Sequence, residues 1–192
     1  NMRHAGGLRI DHDMGLQRLF WIPEGAPAAE GAYVHYPVDD LFGVLAEESA
    51  RARCFVVGED LGTVPEGFRE RLDAAAILSY KVLRFERDGE QFLPPSRYPT
   101  RAAACTSTHD LPTIRGWWSG TDIAERERLG QLDAADAQHA MEERRRELDA
   151  LRSAIEAQDV RPLDDEPGDE GAAVVAAAHR YVAATPSALV LL

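Results

Sequence analysis

Short apolar runs alternate with longer amphipathic or polar stretches along this chain. Leu8–Ile10 leads into Asp11-His12-Asp13, Cys54–Val57 into Gly58-Glu59-Asp60, and Ala102–Thr106 towards His109-Asp110, while Lys81–Phe85 and Ala188–Leu192 have the same character. Runs this short and this continuously apolar predict five strands buried on both faces, as parallel sheets require. Between them, Val38–Arg53 sets Leu41, Phe42, Val44, Leu45 and Ala46 against Glu47, Glu48 and Arg51, the pattern of an amphipathic helix. Pro65–Asp73 predicts a shorter helix, with Thr63 as a candidate N-cap.

Residues 122–157 differ in character. Glu125–Arg128 and Glu142–Glu147 lie on long helical patterns with charge partners four residues apart, such as Glu142 and Arg146, and predict solvated helix faces. Acidic residues interleave with the arginines, which argues against a basic binding patch. The stretch 159–171 combines two prolines, two glycines and six acids and predicts a linker. Ala172–Ala184 predicts a small-residue helix closed by Thr185-Pro186 before the last strand. Three segments result: strands with functional loops over 1–121, a charged helical insertion with its linker over 122–171, and a final helix and strand over 172–192.

Alternating strands and helices define an α/β fold, built either as an open doubly wound sheet or as a closed (β/α)8 barrel. An open nucleotide-binding sheet needs a glycine-rich phosphate turn after its first strand. Here Gly6-Gly7 precedes a strand, and Gly58-Glu59-Asp60-Leu61-Gly62 puts two acids where a phosphate would sit. Acidic groups follow three different strands at Asp11, Glu59 and Asp110, and barrel enzymes collect their reacting groups at such strand ends. The expectation is therefore a partial (β/α)8 TIM barrel of about five parallel strands carrying a charged helical insertion.

Composition narrows the partners. With 192 residues, 45% apolar and 28% charged, the chain has an ordinary globular balance. Its net charge of −12 disfavours nucleic acid and anionic membrane, because affinity for phosphate surfaces comes from clustered Lys and Arg. No apolar run approaches the roughly 18 residues of a membrane helix, and the N-terminal residues do not read as a secretory signal. Cys54 and Cys105 lie in or beside strand-like segments, which predicts buried free thiols in a reducing cytoplasm.

Three carboxylates at one barrel mouth suggest glycosidic chemistry, which needs one acid ionised and another protonated at the same pH. Arg9 and Asp11 are two apart on one strand and share a face, so the guanidinium favours the charged, nucleophilic form of Asp11. Glu59 follows a buried strand and would face two other carboxylates, influences that favour a retained proton and cast it as the donor. Asp110 would then bind sugar hydroxyls, with His109 or His12 as a neutral hydrogen-bonding neighbour. Taken singly, an Arg-X-Asp is usually an ion pair, and acids after strands are often helix caps. Their recurrence after three strands gives the reading its force. Trp21, Tyr33, Trp117 and Trp118 could stack on pyranose rings, although single aromatics more often fill a core.

At these residues the chain resembles a family. Leu8-Arg9-Ile10-Asp11-His12, Trp21-Ile22-Pro23 with Gly25–Gly31, Gly58-Glu59-Asp60-Leu61-Gly62, Lys81-Val82-Leu83, and Thr108-His109-Asp110 before Gly116-Trp117-Trp118 follow, in order and spacing, the 4-α-glucanotransferases called amylomaltases, of the α-amylase clan. The resemblance implies Asp11 as nucleophile, Glu59 as acid/base and Asp110 as transition-state stabiliser, the same roles reached from the residues. It implies transfer between maltooligosaccharides or α-1,4-glucans, with Arg9, His12, Tyr33, His109 and Trp117 as substrate-binding groups and no metal or organic cofactor. Tyr33 stands where many relatives carry Trp. Pro23–Tyr36 is expected to cover the site and keep water out.

A complete barrel needs eight strands and typically about 250 residues, so the chain is expected to be the C-terminal portion of such an enzyme, inactive in isolation and self-associating through open barrel edges. A hydrolytic α-glucosidase or amylase relative, and a non-catalytic glucan-binding or assembly module, are the alternative functions.

Overall fold

The computed structural model describes residues 1–158 and 170–192. In chain order the elements are β1 (Gly7–Ile10), β2 (Arg18–Trp21), β3 (Ala32–His35), α1 (Val38–Ala52), β4 (Phe55–Gly58), α2 (Phe68–Ala74) and β5 (Leu78–Val82). They continue with β6 (Arg87–Asp88), β7 (Gln91–Phe92), β8 (Ala102–Cys105), α3 (Ile114–Ser119), α4 (Thr121–Arg128), α5 (Ala134–Glu156), α6 (Glu170–Ala183) and β9 (Leu189–Leu191). The expected linker over 159–171 falls, for 159–169, outside the described residues.

The main sheet has the order β1-β4-β5-β8-β9, with β1–β4 and β4–β5 pairing in parallel. Each new strand of this sheet joins on the same side as the last. A doubly wound sheet must reverse direction at a switch point, whereas a barrel winds one way. The topology therefore agrees with five strands of a (β/α)8 barrel. Two antiparallel hairpins, β2–β3 and β6–β7, stand outside this sheet.

By packing, the chain divides into residues 1–80 with 101–103, and residues 81–100 with 104–192. In the first unit, Met14, Phe42, Val56, Phe68, Leu72 and Ile77 make the core, with the Phe42 and Phe68 rings 5.6 Å apart. Arg53 closes α1 in the left-handed conformation at φ 52°, and the Ser49 hydroxyl donates to the Cys54 carbonyl at 2.7 Å, which turns the chain into β4. In the second unit, Leu83, Phe92, Tyr98, Trp117, Leu151, Tyr181 and Val182 are buried together. The Tyr181 hydroxyl donates to the Leu93 carbonyl at 3.0 Å, and burial pushes its pKa up to about 12. Thr113 and Asp133 cap α3 and α5 by accepting the Gly116 and Asp136 backbone N–H groups at 3.1 and 2.8 Å.

Three expectations are corrected. The strand expected over Lys81–Phe85 is Leu78–Val82, because Leu83–Phe85 turns into a 3-10 helix and the register is set further upstream by Val57 facing Leu78. Thr63 does not cap the helix after β4. Gly67, at φ 75°, precedes its first turn. The charged stretch of α5 is not wholly solvated either: Arg144 is buried, forms a paired hydrogen bond to the Asp122 carboxylate at 2.8 Å, and donates to the Trp117 carbonyl at 2.6 Å. Against the opposing pull of burial, that guanidinium holds the Asp122 carboxyl below its ordinary value. Cys54 and Cys105 are both buried free thiols, as expected.

Arg144→Ala would remove the guanidinium that pairs with the Asp122 carboxylate and donates to the Trp117 carbonyl, and should cost about 3–5 kcal/mol. A lowered urea midpoint, followed by tryptophan fluorescence, reads this loss. A cost below about 1 kcal/mol would mean the network behaves as an exposed surface pair.

Candidate functional site

The first unit brings four of the expected residues, Arg9, Asp11, His12 and Glu59, to the C-terminal ends of β1 and β4. Ile10 faces Gly58 across the parallel ladder, and the next bond runs from the Glu59 N–H to the Ile10 carbonyl at 2.9 Å. Asp11 and Glu59 thus leave adjacent strands at one level. Arg9 Nη1 lies 2.7 Å from Asp11 Oδ1, with its guanidinium 4.9 Å from the centre of the Tyr80 ring. The pairing inferred from the two-residue spacing is present, and Tyr80 adds an aromatic floor that the spacing could not reveal.

His12 adopts the left-handed conformation, φ 45° and ψ 56°, immediately before the 3-10 turn Asp13–Leu16. This non-glycine strain aims its backbone N–H at Glu59 Oε2, 2.8 Å away, while the Leu61 N–H reaches Oε1 at 3.0 Å. Both oxygens of Glu59 are therefore oriented by main-chain donors from either side. His12 serves the site through its backbone.

Three further acids near Glu59 meet different fates. Asp11 is exposed beside Arg9. Asp60 is fully buried, accepting from Arg69 Nε at 2.7 Å and from the Tyr80 N–H at 2.8 Å, and so ties the end of β4 to α2 and β5. Asp13 is 1% exposed, and neither of its carboxyl oxygens has a hydrogen-bond partner. Burial, then the neighbouring Asp60 and Glu59 carboxylates, push its pKa up to about 8. Nothing in the sequence analysis singled out Asp13. The available signal was an acid between His12 and Met14 in an otherwise apolar turn.

The segment expected to cover the site is largely a hairpin. Arms β2 and β3 pair with Phe20 facing Tyr33, and residues 22–31 connect them. Trp21 and Tyr33 are 58% and 56% exposed, unusual for large aromatics, and the Arg18 guanidinium sits 4.4 Å from the Tyr33 ring centre. Trp21 Nε1 donates to the Tyr36 hydroxyl at 2.8 Å, which fixes the indole orientation.

The remaining expected residues belong to the second unit. His109 Nε2 lies 3.2 Å from Asp110 Oδ2, both exposed, and the Asp110 N–H donates to Thr108 Oγ1 at 3.2 Å. Trp117 requires a correction. It is 2% exposed within the core, with the Arg84 and Arg144 guanidinium groups 5.5 and 5.7 Å from its ring, and offers no face to a sugar. Trp118 is the partly exposed one of the two. Among the described residues, no group of three or more His, Cys, Asp or Glu side chains could hold a metal ion, and no helix is long and apolar enough to cross a membrane.

Five sheet strands that wind one way, with carboxylates at the ends of the paired strands β1 and β4, agree with the barrel class of α/β fold. Residues 1–192 match glycoside hydrolase family 77, described as 4-alpha-glucanotransferase, and the chain belongs to that family. It is 42% identical over 182 residues to the 4-alpha-glucanotransferase of Haemophilus influenzae, covering 95% of this chain and 26% of that protein. The enzyme of the same name from Mycobacterium tuberculosis is 38% identical over 193 residues, covering 98% of this chain and 26% of the relative. Among solved structures, amylomaltase from Corynebacterium glutamicum superposes with a TM-score of 0.89 at 33% identity, over 100% of this chain and 28% of that one. Amylomaltase from Streptococcus agalactiae, in complex with acarbose, shares the fold at a TM-score of 0.63 and 21% identity, over 95% of this chain and 31% of that one. The chain thus spans about a quarter of the length of the relatives it matches.

The buried Asp13 makes stability depend on pH. Its folded pKa of about 8 lies above the ordinary value of 3.8, so the folded state binds the extra proton between these values. Stability is full below about pH 4 and is lost as pH rises through 8, by at most about 1.4 kcal/mol per unit. Asp13→Asn removes the ionisation. Its urea midpoint relative to wild type should therefore rise between pH 5 and pH 8.5, and an unchanged difference between the two pH values would contradict the assignment.

Proposed function

We propose that this chain carries the reacting carboxylates of a retaining 4-α-glucanotransferase that moves α-1,4-glucan segments between maltooligosaccharides. The observation that carries the reading is the β1–β4 register, which sets Asp11 and Glu59 at the ends of neighbouring strands. Asp11, paired with Arg9, attacks the anomeric carbon as Glu59 delivers a proton to the departing glycosidic oxygen. A covalent glucosyl–enzyme forms. Glu59 then takes the proton from the 4-hydroxyl of an acceptor glucan, whose oxygen displaces Asp11. Two inversions give retention. For this to operate, the two carboxyl groups must come to about 5–5.5 Å apart, closer than an inverting pair.

Asp110, with His109 beside its carboxylate, is assigned the binding of sugar hydroxyls. His12 orients Glu59, Arg9 orients Asp11, and Tyr33 presents an exposed ring for stacking on a pyranose. The two buried thiols support a reducing, cytoplasmic setting. The outer sides of β1 and β9, the edge strands of the main sheet, support self-association of the isolated chain.

The direct test grafts residues 1–192 into the Corynebacterium glutamicum amylomaltase in place of the matching segment and supplies maltotriose. Longer oligosaccharides together with glucose are expected, and Glu59→Gln should slow their formation by about 10²–10⁴-fold. Glucose without longer products would assign hydrolysis instead, and binding without turnover would assign a glucan-binding module. The 192-residue chain alone, with five strands of a barrel that closes with eight, should give little or no disproportionation.

A further inference from the structure

Asp13 is a buried carboxyl group of the first unit that the proposed reaction does not use and that no side-chain donor pairs. It lies in the 3-10 turn Asp13–Leu16, one residue after His12, and its own N–H donates to the Glu59 carbonyl at 3.2 Å. Its carboxyl group rests on Gly58, the residue before Glu59. A Cβ at Gly58 would stand 2.0 Å from Asp13 Oδ2, so the acid occupies the space that a side chain there would need. Ile77 borders the same space and belongs to one apolar cluster with Met14, Phe42, Val56 and Phe68.

The charged groups facing Asp13 are Glu59 and Asp60 from the end of β4 and Arg69 from α2, while Asp11 and His12 precede it on its own segment. Arg69 is already engaged, with Nε on the Asp60 carboxylate at 2.7 Å and Nη2 on the Asp60 carbonyl at 3.1 Å. An anion at Asp13 would therefore be buried beside two other carboxylates, with the Met14 backbone N–H and the already engaged Arg69 as the groups that favour its charge. A neutral carboxylic acid is tolerated in such a place far better than a carboxylate.

We propose that Asp13 is a positioning residue for the Asp11–Glu59 pair: an uncharged carboxylic acid that holds the His12 turn against the end of β4, and whose ionisation releases that turn. The link is covalent and short. His12 places its N–H on Glu59 Oε2 only in its left-handed conformation, and the residue that follows it is Asp13. A carboxylate leaving its pocket for water must rotate this turn, which withdraws the His12 N–H from Glu59 and the Asp13 N–H from the Glu59 carbonyl. The upward shift of the Asp13 pKa to about 8 puts this release on the alkaline side of neutrality. The catalytic meaning rests on the transferase reading above. The coupling between Asp13 and His12 does not.

The test is a titration of the isotopically labelled 192-residue chain by nuclear magnetic resonance between pH 5 and 9.5. It follows the Asp13 and Glu59 side-chain carboxyl carbons and the hydrogen-exchange protection of the His12 amide. In wild type, the Asp13 carbon should titrate well above the ordinary carboxylate range. Protection of His12, corrected for the intrinsic pH dependence of exchange, should fall at least tenfold through the same midpoint. In Asp13→Asn, protection should stay constant across the range. An Asp13 carbon that titrates in the ordinary range overturns the proposal and needs no variant to observe. So does a His12 amide that loses protection identically in Asp13→Asn. No turnover enters this measurement, so a grafted enzyme without transferase activity would refute the catalytic reading and leave the titration to decide on Asp13.

Discussion

Ile10 faces Gly58 across a parallel ladder, and the ladder runs one bond further, from the Glu59 N–H to the Ile10 carbonyl. Every other feature at the head of the first unit takes its position from that pairing. A shift of one residue would turn Glu59 to the opposite face, since side chains alternate along a strand. The apolar run before Glu59 and the mixed run before Asp11 can bury their core positions in only one register. Chemistry at the rim is thus fixed by hydrophobic burial beneath it.

The acids above this ladder differ by what each can reach. Asp60 has lost all contact with water and gained a guanidinium and a backbone N–H, which makes it a strut between β4, α2 and β5. Glu59 keeps partial exposure and receives two main-chain donors that move only if the strand ends move. Asp11 remains open to solvent beside one arginine. A nucleophile has to reach its substrate and a strut does not, so the gradient of exposure supports the roles proposed for these acids. Rigid main-chain donors also orient a carboxylate at little entropic cost, unlike long side chains that must first be ordered.

Much of this was legible beforehand, and the misses have specific causes. Strand runs ending in acids matched β1, β4 and β8 almost to the residue; the expected burial on both faces holds through β8 and for three of the four residues of β4, whereas β1 is only partly buried. Spacing alone paired Arg9 with Asp11. Leu78–Val82 was displaced in the reading because Ser79 and Lys81 interrupt its apolar character, and its place is set by pairing with β4. Trp117 looked like a sugar platform because an aromatic near Thr-His-Asp fits either role. Only packing against Leu151 and Tyr181 in one core assigns it to the interior. Arg144 sat in a run of charges that resembles any solvated helix, and its burial depends on Asp122, twenty-two residues away.

Gly58 and Asp13 illustrate how two positions become bound to one another without a hydrogen bond between them. The glycine is demanded by the volume of a neighbouring acid, since its own backbone lies outside the left-handed region. Alanine can enter at 58 only if residue 13 shrinks or turns away, and a longer acid at 13 has no floor to stand on. Across divergent sequences these two sites should consequently drift as a unit, so that covariation between them, rather than invariance at either, would be the evolutionary trace of the arrangement.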